Sequence, residues 1–139
     1  MENCIFCKII KGEIPSNKVY EDEHTYAFMD INPINPGHLL IVPKTHYTEI
    51  KDYDEETGMY LFRTAIKIEK ALRKSGAVKL EGTNFLIANG PAAGQEVFHS
   101  HLHIIPRYAD DSYKVRIERK EKPTVEELKQ VAEEIKKNI

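Results

Sequence analysis

The stretch GQEVFHSHLHIIPR, residues 94–107, sets His99, His101 and His103 at every second position. Side chains alternate faces along a strand, so a strand here puts three imidazoles on one face, neighbours roughly 6.6 Å apart. Phe98, Leu102 and Ile104 then turn large apolar groups toward a core on the other face. Packing alone is a costly explanation for three histidines in a row. Uncharged they need hydrogen-bond partners, and charged they repel one another. Three readings stay open: a metal site, phosphate chemistry and a structural role. Imidazoles on neighbouring positions bind zinc. Imidazole is also a nucleophile toward phosphorus near neutral pH, and a second imidazole can hold the nonbridging oxygens or protonate a leaving group. The upstream loop favours phosphate. Gly90 and Gly94 let the backbone approach a ligand, its N–H groups can cradle an anion, and Asn89 and Gln95 add neutral polar groups.

The rest of the chain supplies partners for such a strand. Residues 4–11 read as a short helical turn with Ile5, Phe6, Ile9 and Ile10 on its apolar side, ended by Gly12 and Pro15. KVYE (18–21) and TYAFMDI (25–31) read as a hairpin, LLIVP (39–43) as an apolar strand, and NFLIAN (84–89) and VFHSHLHIIP (97–106) as two more strands. Asp54 caps a helix running to about Lys74, where Met59, Phe62, Ala65 and Ile66 keep a helical period and Gly76 stops it. Thr124 and Glu127 form a capping box before a final helix with Leu128, Val131, Ala132 and Ile135 as an apolar stripe. Strand pairs joined by short turns around one mid-chain helix predict an antiparallel α+β fold. At 139 residues the chain is expected to be one domain, 1–139, with 109–139 as a helical extension dense in charges of both signs, read as a solvated face.

Net charge is −2, so no global basic field draws the chain onto nucleic acid or an anionic membrane, and anion binding has to be local. No apolar run approaches the ~20 residues that cross a bilayer. The N-terminal MENCIFCKIIKGEIP is too short and too polar for a signal peptide, so a cytoplasmic location is expected, without membrane or nucleic-acid partners. The only two cysteines, Cys4 and Cys7, form C-x-x-C. In a reducing compartment that spacing points to metal or redox chemistry. A thioredoxin-like motif would need a preceding strand, for which four residues leave no room, whereas two thiolates make half of a tetrahedral zinc site that histidines complete.

Three separated motifs, in order, resemble the histidine-triad (HIT) superfamily. His99-Ser100-His101-Leu102-His103-Ile104-Ile105 resembles its alternating histidine–apolar motif, with Ser100 a mild departure. IFCKIIKGEIPSNKVYED (5–22) resembles the N-terminal signature of the Hint branch, and DINPINPGHLLIVPKTH (30–46) its central segment. The likeness covers about residues 4–108. It implies a HIT-like fold: a sheet of about five antiparallel strands, a short N-terminal helix, one long mid-chain helix and a C-terminal helix.

The resemblance further implies a hydrolase or transferase that binds purine nucleotides of AMP or GMP type. Such proteins cleave a P–N or P–O bond at the α-phosphate, with phosphoramidates favoured, through a nucleotidyl-histidine intermediate. His101 matches the nucleophile. His103 matches the histidine that contacts phosphate and leaving group, and His99 the one that orients the array. Asn89, Gln95 and the backbone at Glu96 and Val97 match phosphate-contacting positions. The branch often carries Ser where this chain has Glu96, so the Glu96 carboxylate is expected to turn outward and only its N–H to serve. Asp30 matches the carboxylate that accepts both ribose hydroxyls. Ile5, Phe6, Ile9, Phe28 and Ile31 match the apolar clamp around the purine. Zinc-containing prokaryotic-type members imply a structural zinc held by Cys4, Cys7, His46 and His99, and Hint-like proteins imply a homodimer. Alternatives are a dinucleoside polyphosphate hydrolase, as in the Fhit-like branch, and a nucleotide-binding protein with little turnover. His24 and His38 fall outside these assignments and are read as surface or turn residues.

Overall fold

The computed structural model describes residues 3–139. Helix α1, Ile5–Ile10, begins where the Cys4 thiol accepts a hydrogen bond from the Cys7 amide. Strands β1 (Lys18–Glu21), β2 (Thr25–Met29) and β3 (Leu39–Pro43) follow, then helix α2 (Glu55–Ser75), strands β4 (Gly82–Leu86) and β5 (Leu102–Arg107), and helix α3 (Val125–Lys136). The strands form one antiparallel sheet in the order β1-β2-β3-β5-β4. The α+β expectation of five strands and three helices holds.

β3 is central and buried along its whole length, which explains its continuous apolar run. Alternation divides its side chains between two layers. Leu39 and Ile41 join Ala27, Leu102 and Ile104 against Leu61, Ala65 and Ile68 of α2. Leu40 and Val42 join Tyr26 and Phe28 against Phe6 and Ile9 of α1. Leu40 pairs with His103 of β5, so His103 shares the α1 face of the sheet.

Two sequence expectations fail here. Of the α2 stripe named above only Ala65 is buried: Met59, Phe62 and Ile66 are 66%, 49% and 53% exposed, while Leu61, Thr64 and Ile68 complete the buried face. The helix carries two adjacent apolar stripes, and the sheet meets the second. The segment 97–106 is not one strand either. Bends at residues 97–99 delay β5 until Leu102, leaving Phe98 half-exposed and not in the core. The caps agree with expectation. Asp54 accepts from the Thr57 amide, Gly76 ends α2 in the left-handed region, and the Thr124–Glu127 capping box is complete. The apolar stripe of α3 stays exposed at Leu128, Val131 and Ile135. No helix among the described residues is long and apolar enough to cross a membrane.

Gly37 occupies the turn into β3 at φ +92°, where a Cβ would stand 2.8 Å from Val78 Cγ1 and 3.1 Å from Pro106 Cγ. Gly37→Ala therefore combines a disfavoured backbone with a steric overlap. It is expected to cost about 2–4 kcal/mol, read as a melting temperature lower by roughly 10 °C. An unchanged melting curve would show that the turn relaxes freely.

Candidate active site

His101 lies between the bends at 97–99 and the start of β5, in a segment pinned at its neighbour. The Ser100 amide donates to the Tyr47 carbonyl at 2.7 Å, and the Ser100 and Tyr53 hydroxyls are 2.7 Å apart. The His101 ring is oriented by its own backbone: Nδ1 is 2.7 Å from the His99 carbonyl oxygen. A carbonyl only accepts, so Nδ1 carries the proton and Nε2 keeps its lone pair. Burial pushes the His101 imidazole below its ordinary pKa, which favours the same neutral form. The Phe6 ring packs against it in a T-shaped contact, centroids 5.1 Å apart.

His103, one turn of the pleat further on, packs beside His101 with ring centroids 4.9 Å apart. Burial, with His101 and His38 close by, lowers its pKa to about 4. Its Nδ1 lies 2.9 Å from Nε2 of His38. The expectation that His38 is a surface or turn residue is corrected: it is only 2% exposed, and it stands between His103 and Asp30. Asp30 Oδ2 is 3.4 Å from His38 Nε2, while Oδ1 accepts from the Asn32 amide. His24 is half-buried and stacks on Tyr60, away from this cluster.

The first triad histidine faces elsewhere. His99 is fully buried, and its Nδ1 lies 3.4 Å from Cys4 Sγ and 3.6 Å from Cys7 Sγ. His46 Nδ1 is 3.4 Å from Cys7 Sγ. One ligand atom from each of Cys4, Cys7, His46 and His99 falls within 4.8 Å of the others, a group able to hold a metal ion. The hydrogen bonding fits that use. His99 Nε2 lies 2.8 Å from the Pro43 carbonyl oxygen, so it carries the proton and leaves a bare Nδ1 toward the sulfurs. Burial acts in the same sense, holding His99 near pKa 4.

The remaining sequence-named residues divide. Phe6, Ile9 and Phe28 are buried beneath the histidines, Ile5 is half-exposed, and Ile31 is 84% exposed at the rim. Asn89 uses its side-chain oxygen on the Ile50 amide, which leaves its NH₂ to offer. Gln95 is almost fully buried, and its amide is spent on the backbone. Its NH₂ reaches the Thr48 and Val97 carbonyls, and its oxygen accepts from the Gly90 amide. The side chain thus shapes the 90–97 loop. Glu96 is exposed. A cavity of about 440 Å³ opens beside this loop, lined by Ile5, Glu96 and Val97 together with Cys4, His46 and Phe98. It brings part of the nucleotide-contacting set to the edge of the cysteine–histidine group, whereas His101, Asp30 and Phe28 lie outside its lining.

Sequence reasoning missed His38. The signal was its parity: it lies two residues before Leu40, which pairs with His103, but the pairing itself is not written locally.

The family model described as HIT domain matches residues 11–110. "Protein hit" of Bacillus subtilis is 51% identical over 107 residues, covering 77% of this chain and 72% of that protein. Adenosine 5'-monophosphoramidase HNT1 of Saccharomyces cerevisiae is 47% identical over 109 residues, covering 78% of this chain and 65% of that one. Among solved structures, a HIT family protein from Bacillus anthracis has a TM-score of 0.91 at 41% identity, with 99% of this chain and 98% of that one aligned. A Zn-bound histidine triad family protein from Mycobacterium smegmatis has a TM-score of 0.77 at 35% identity, with 96% and 98% aligned.

Proposed function

The chain belongs to the HIT domain family, and on that premise we propose that it is a nucleotide hydrolase that cleaves a P–N bond at the α-phosphate of a purine nucleotide. The observation that carries this reading is the hydrogen bond from His101 Nδ1 to the His99 carbonyl, which presents Nε2 as a free base. The monophosphoramidase activity in the yeast relative's name supports the substrate class.

His101 Nε2 forms a bond to phosphorus as the P–N bond breaks. The amine leaves with a proton drawn from solvent, and His103 holds a phosphate oxygen or the leaving group. Water then attacks phosphorus, releases the nucleoside monophosphate and returns His101 to its starting form. Asp30 takes the ribose hydroxyls. Phe6, Ile9 and Phe28, with Ile5 and Ile31 at the rim, enclose the purine. Asn89 and the amides of Glu96 and Val97 take the phosphate, on a loop whose shape Gln95 maintains.

Zinc suits the Cys4–Cys7–His46–His99 group, and the zinc-bound Mycobacterium relative supports it. Four protein ligands close the coordination shell, so the metal would be structural, tying α1 to the segment that carries His101. We also assign the protein to the cytoplasm, where the cysteines stay reduced, and to a homodimer. Phe62 lies 6.5 Å from Phe85 on edge strand β4, and with Met59, Ile66 and Leu86 it leaves an exposed apolar face suited to a second copy.

Rapid acid quench with an adenosine phosphoramidate labelled at phosphorus tests the chemistry. Label is expected to remain on the protein and to map to His101. Steady turnover with label never found on protein would overturn the covalent route.

A further inference from the structure

We propose that His38 is a positioning residue that locks His103 in its neutral, Nε2-protonated form, so that His103 serves as a fixed hydrogen-bond donor and not as an imidazolium. This rests on the reading of the site as a nucleotide hydrolase, and it adds a residue and a protonation state to it.

A group that can only donate fixes the tautomer of the ring it meets. The Ile34 backbone amide lies 3.0 Å from His38 Nδ1. An amide N–H has nothing to accept with, so His38 Nδ1 is a bare lone pair. A neutral imidazole with Nδ1 bare carries its proton on Nε2. That atom is 2.9 Å from His103 Nδ1 and 3.4 Å from Asp30 Oδ2. The shorter contact makes His103 Nδ1 the acceptor. A neutral His103 then has its one proton on Nε2, at the ring edge away from His38.

An imidazolium at His103 would set its Nδ1–H against the His38 Nε2–H across 2.9 Å, and one at His38 would set its Nδ1–H against the Ile34 amide across 3.0 Å. The groups around His103 do little to favour that charge. Burial opposes it first, His101 and His38 add to that, and Asp30 is the single carboxylate that favours it. The result is a pair of adjacent histidines held in opposite tautomers. His101 is set by a carbonyl and shows a lone pair. His103 is set by an N–H, relayed through His38, and shows a proton. One suits attack on phosphorus, and the other suits a nonbridging phosphate oxygen.

Asp30, His38 and His103 also bring three possible metal ligands within 4.8 Å of one another. The tautomers argue against that use. A metal on His38 Nε2 needs the ring proton on Nδ1, where the Ile34 amide already donates. At His99 the arrangement is the reverse, with the proton on Nε2 and the bare nitrogen toward the sulfurs. The same fold thus prepares one cluster for a metal and the other for a proton.

The test is ¹⁵N NMR of histidine-labelled protein without nucleotide, alongside kinetics. Wild-type His103 is expected to show bare Nδ1 and protonated Nε2 from about pH 5.5 to 8. His38→Ala is expected to give mixed tautomers at His103, to move its titration toward the ordinary histidine value of about 6.5, and to lower kcat by roughly 10- to 100-fold with a smaller change in KM. His38→Gln, whose NH₂ can still donate to His103 Nδ1, is expected to restore both tautomer and rate in large part. A wild-type His103 protonated on Nδ1, or a tautomer unchanged in His38→Ala, overturns the proposal. If His38→Ala fails to fold, the wild-type and His38→Gln spectra still decide it. The spectra are recorded without substrate, so absence of phosphoramidate turnover would count against the proposed function alone.

Discussion

His101→Ala is expected to lower kcat/KM for a nucleoside phosphoramidate by about 10⁴-fold or more, while nucleotide affinity changes by less than about tenfold. That loss equals about 5.5 kcal/mol of transition-state stabilisation. The imbalance follows from what His101 does. It offers one lone pair to phosphorus, and a bond formed only during reaction contributes to rate and not to ground-state binding. The groups assigned to the base and ribose stay in place, because Phe6, Ile9, Phe28 and Asp30 are held by α1, β2 and the turn after it. The substitution leaves the His99 carbonyl without the Nδ1–H. His99 keeps its own bond to the Pro43 carbonyl, so the cysteine–histidine group is undisturbed. Isothermal titration with AMP, steady-state kinetics and metal analysis on one preparation separate the possibilities. A variant that retains a tenth or more of wild-type turnover ends the nucleophile assignment. A variant that loses metal while keeping turnover would move His101 to the metal.

What could be read from the chain alone divides by the range of the interaction that decides it. The caps were legible because each is settled within four residues: Asp54 with Thr57, Gly76 at the end of α2, Thr124 with Glu127. β3 was legible because a continuous apolar run suits a strand covered on both faces. The buried face of α2 was not. Met59, Phe62 and Ile66 repeat as well as Leu61, Ala65 and Ile68 do, and only the sheet chooses between them.

The histidine segment failed as a strand for a reason tied to its chemistry. Perfect alternation would have put all three rings on one face. Bends at 97–99 instead send His99 to the cysteines and leave His101 and His103 together. Knowledge of the cysteine partners, 92 and 95 residues away, is needed to see that. His38 is the same case: its meaning depends on the one-residue register between β3 and β5. The candidate site residues that stood out included those carrying reactive groups, while His38, which lies against His103, stayed silent.

Loss of the metal group is expected to show as stability before it shows as rate. The sulfur–nitrogen separations of 3.4, 3.4 and 3.6 Å match the edge of a zinc tetrahedron, about 3.5 Å for Zn–S near 2.3 Å and Zn–N near 2.0 Å. Little rearrangement is therefore needed to hold the ion. Burial and the neighbouring Cys4 sulfur raise the Cys7 thiol above its ordinary pKa, so two thiolates side by side here are costly without a cation. Cys7→Ser removes a buried ligand and is expected to abolish stoichiometric zinc and to lower the melting temperature by about 10 °C or more, on the order of 3 kcal/mol. Turnover per folded molecule is expected to stay within about tenfold of wild type, because the contacts that set His101 and His103 come from the His99 carbonyl and from His38. Metal analysis, thermal melts with and without chelator, and kinetics below the variant's melting range check each part. Wild-type protein without zinc and with a melt indifferent to chelator would remove the metal from the account, and a folded Cys7→Ser variant with no activity would make the metal's role more than structural.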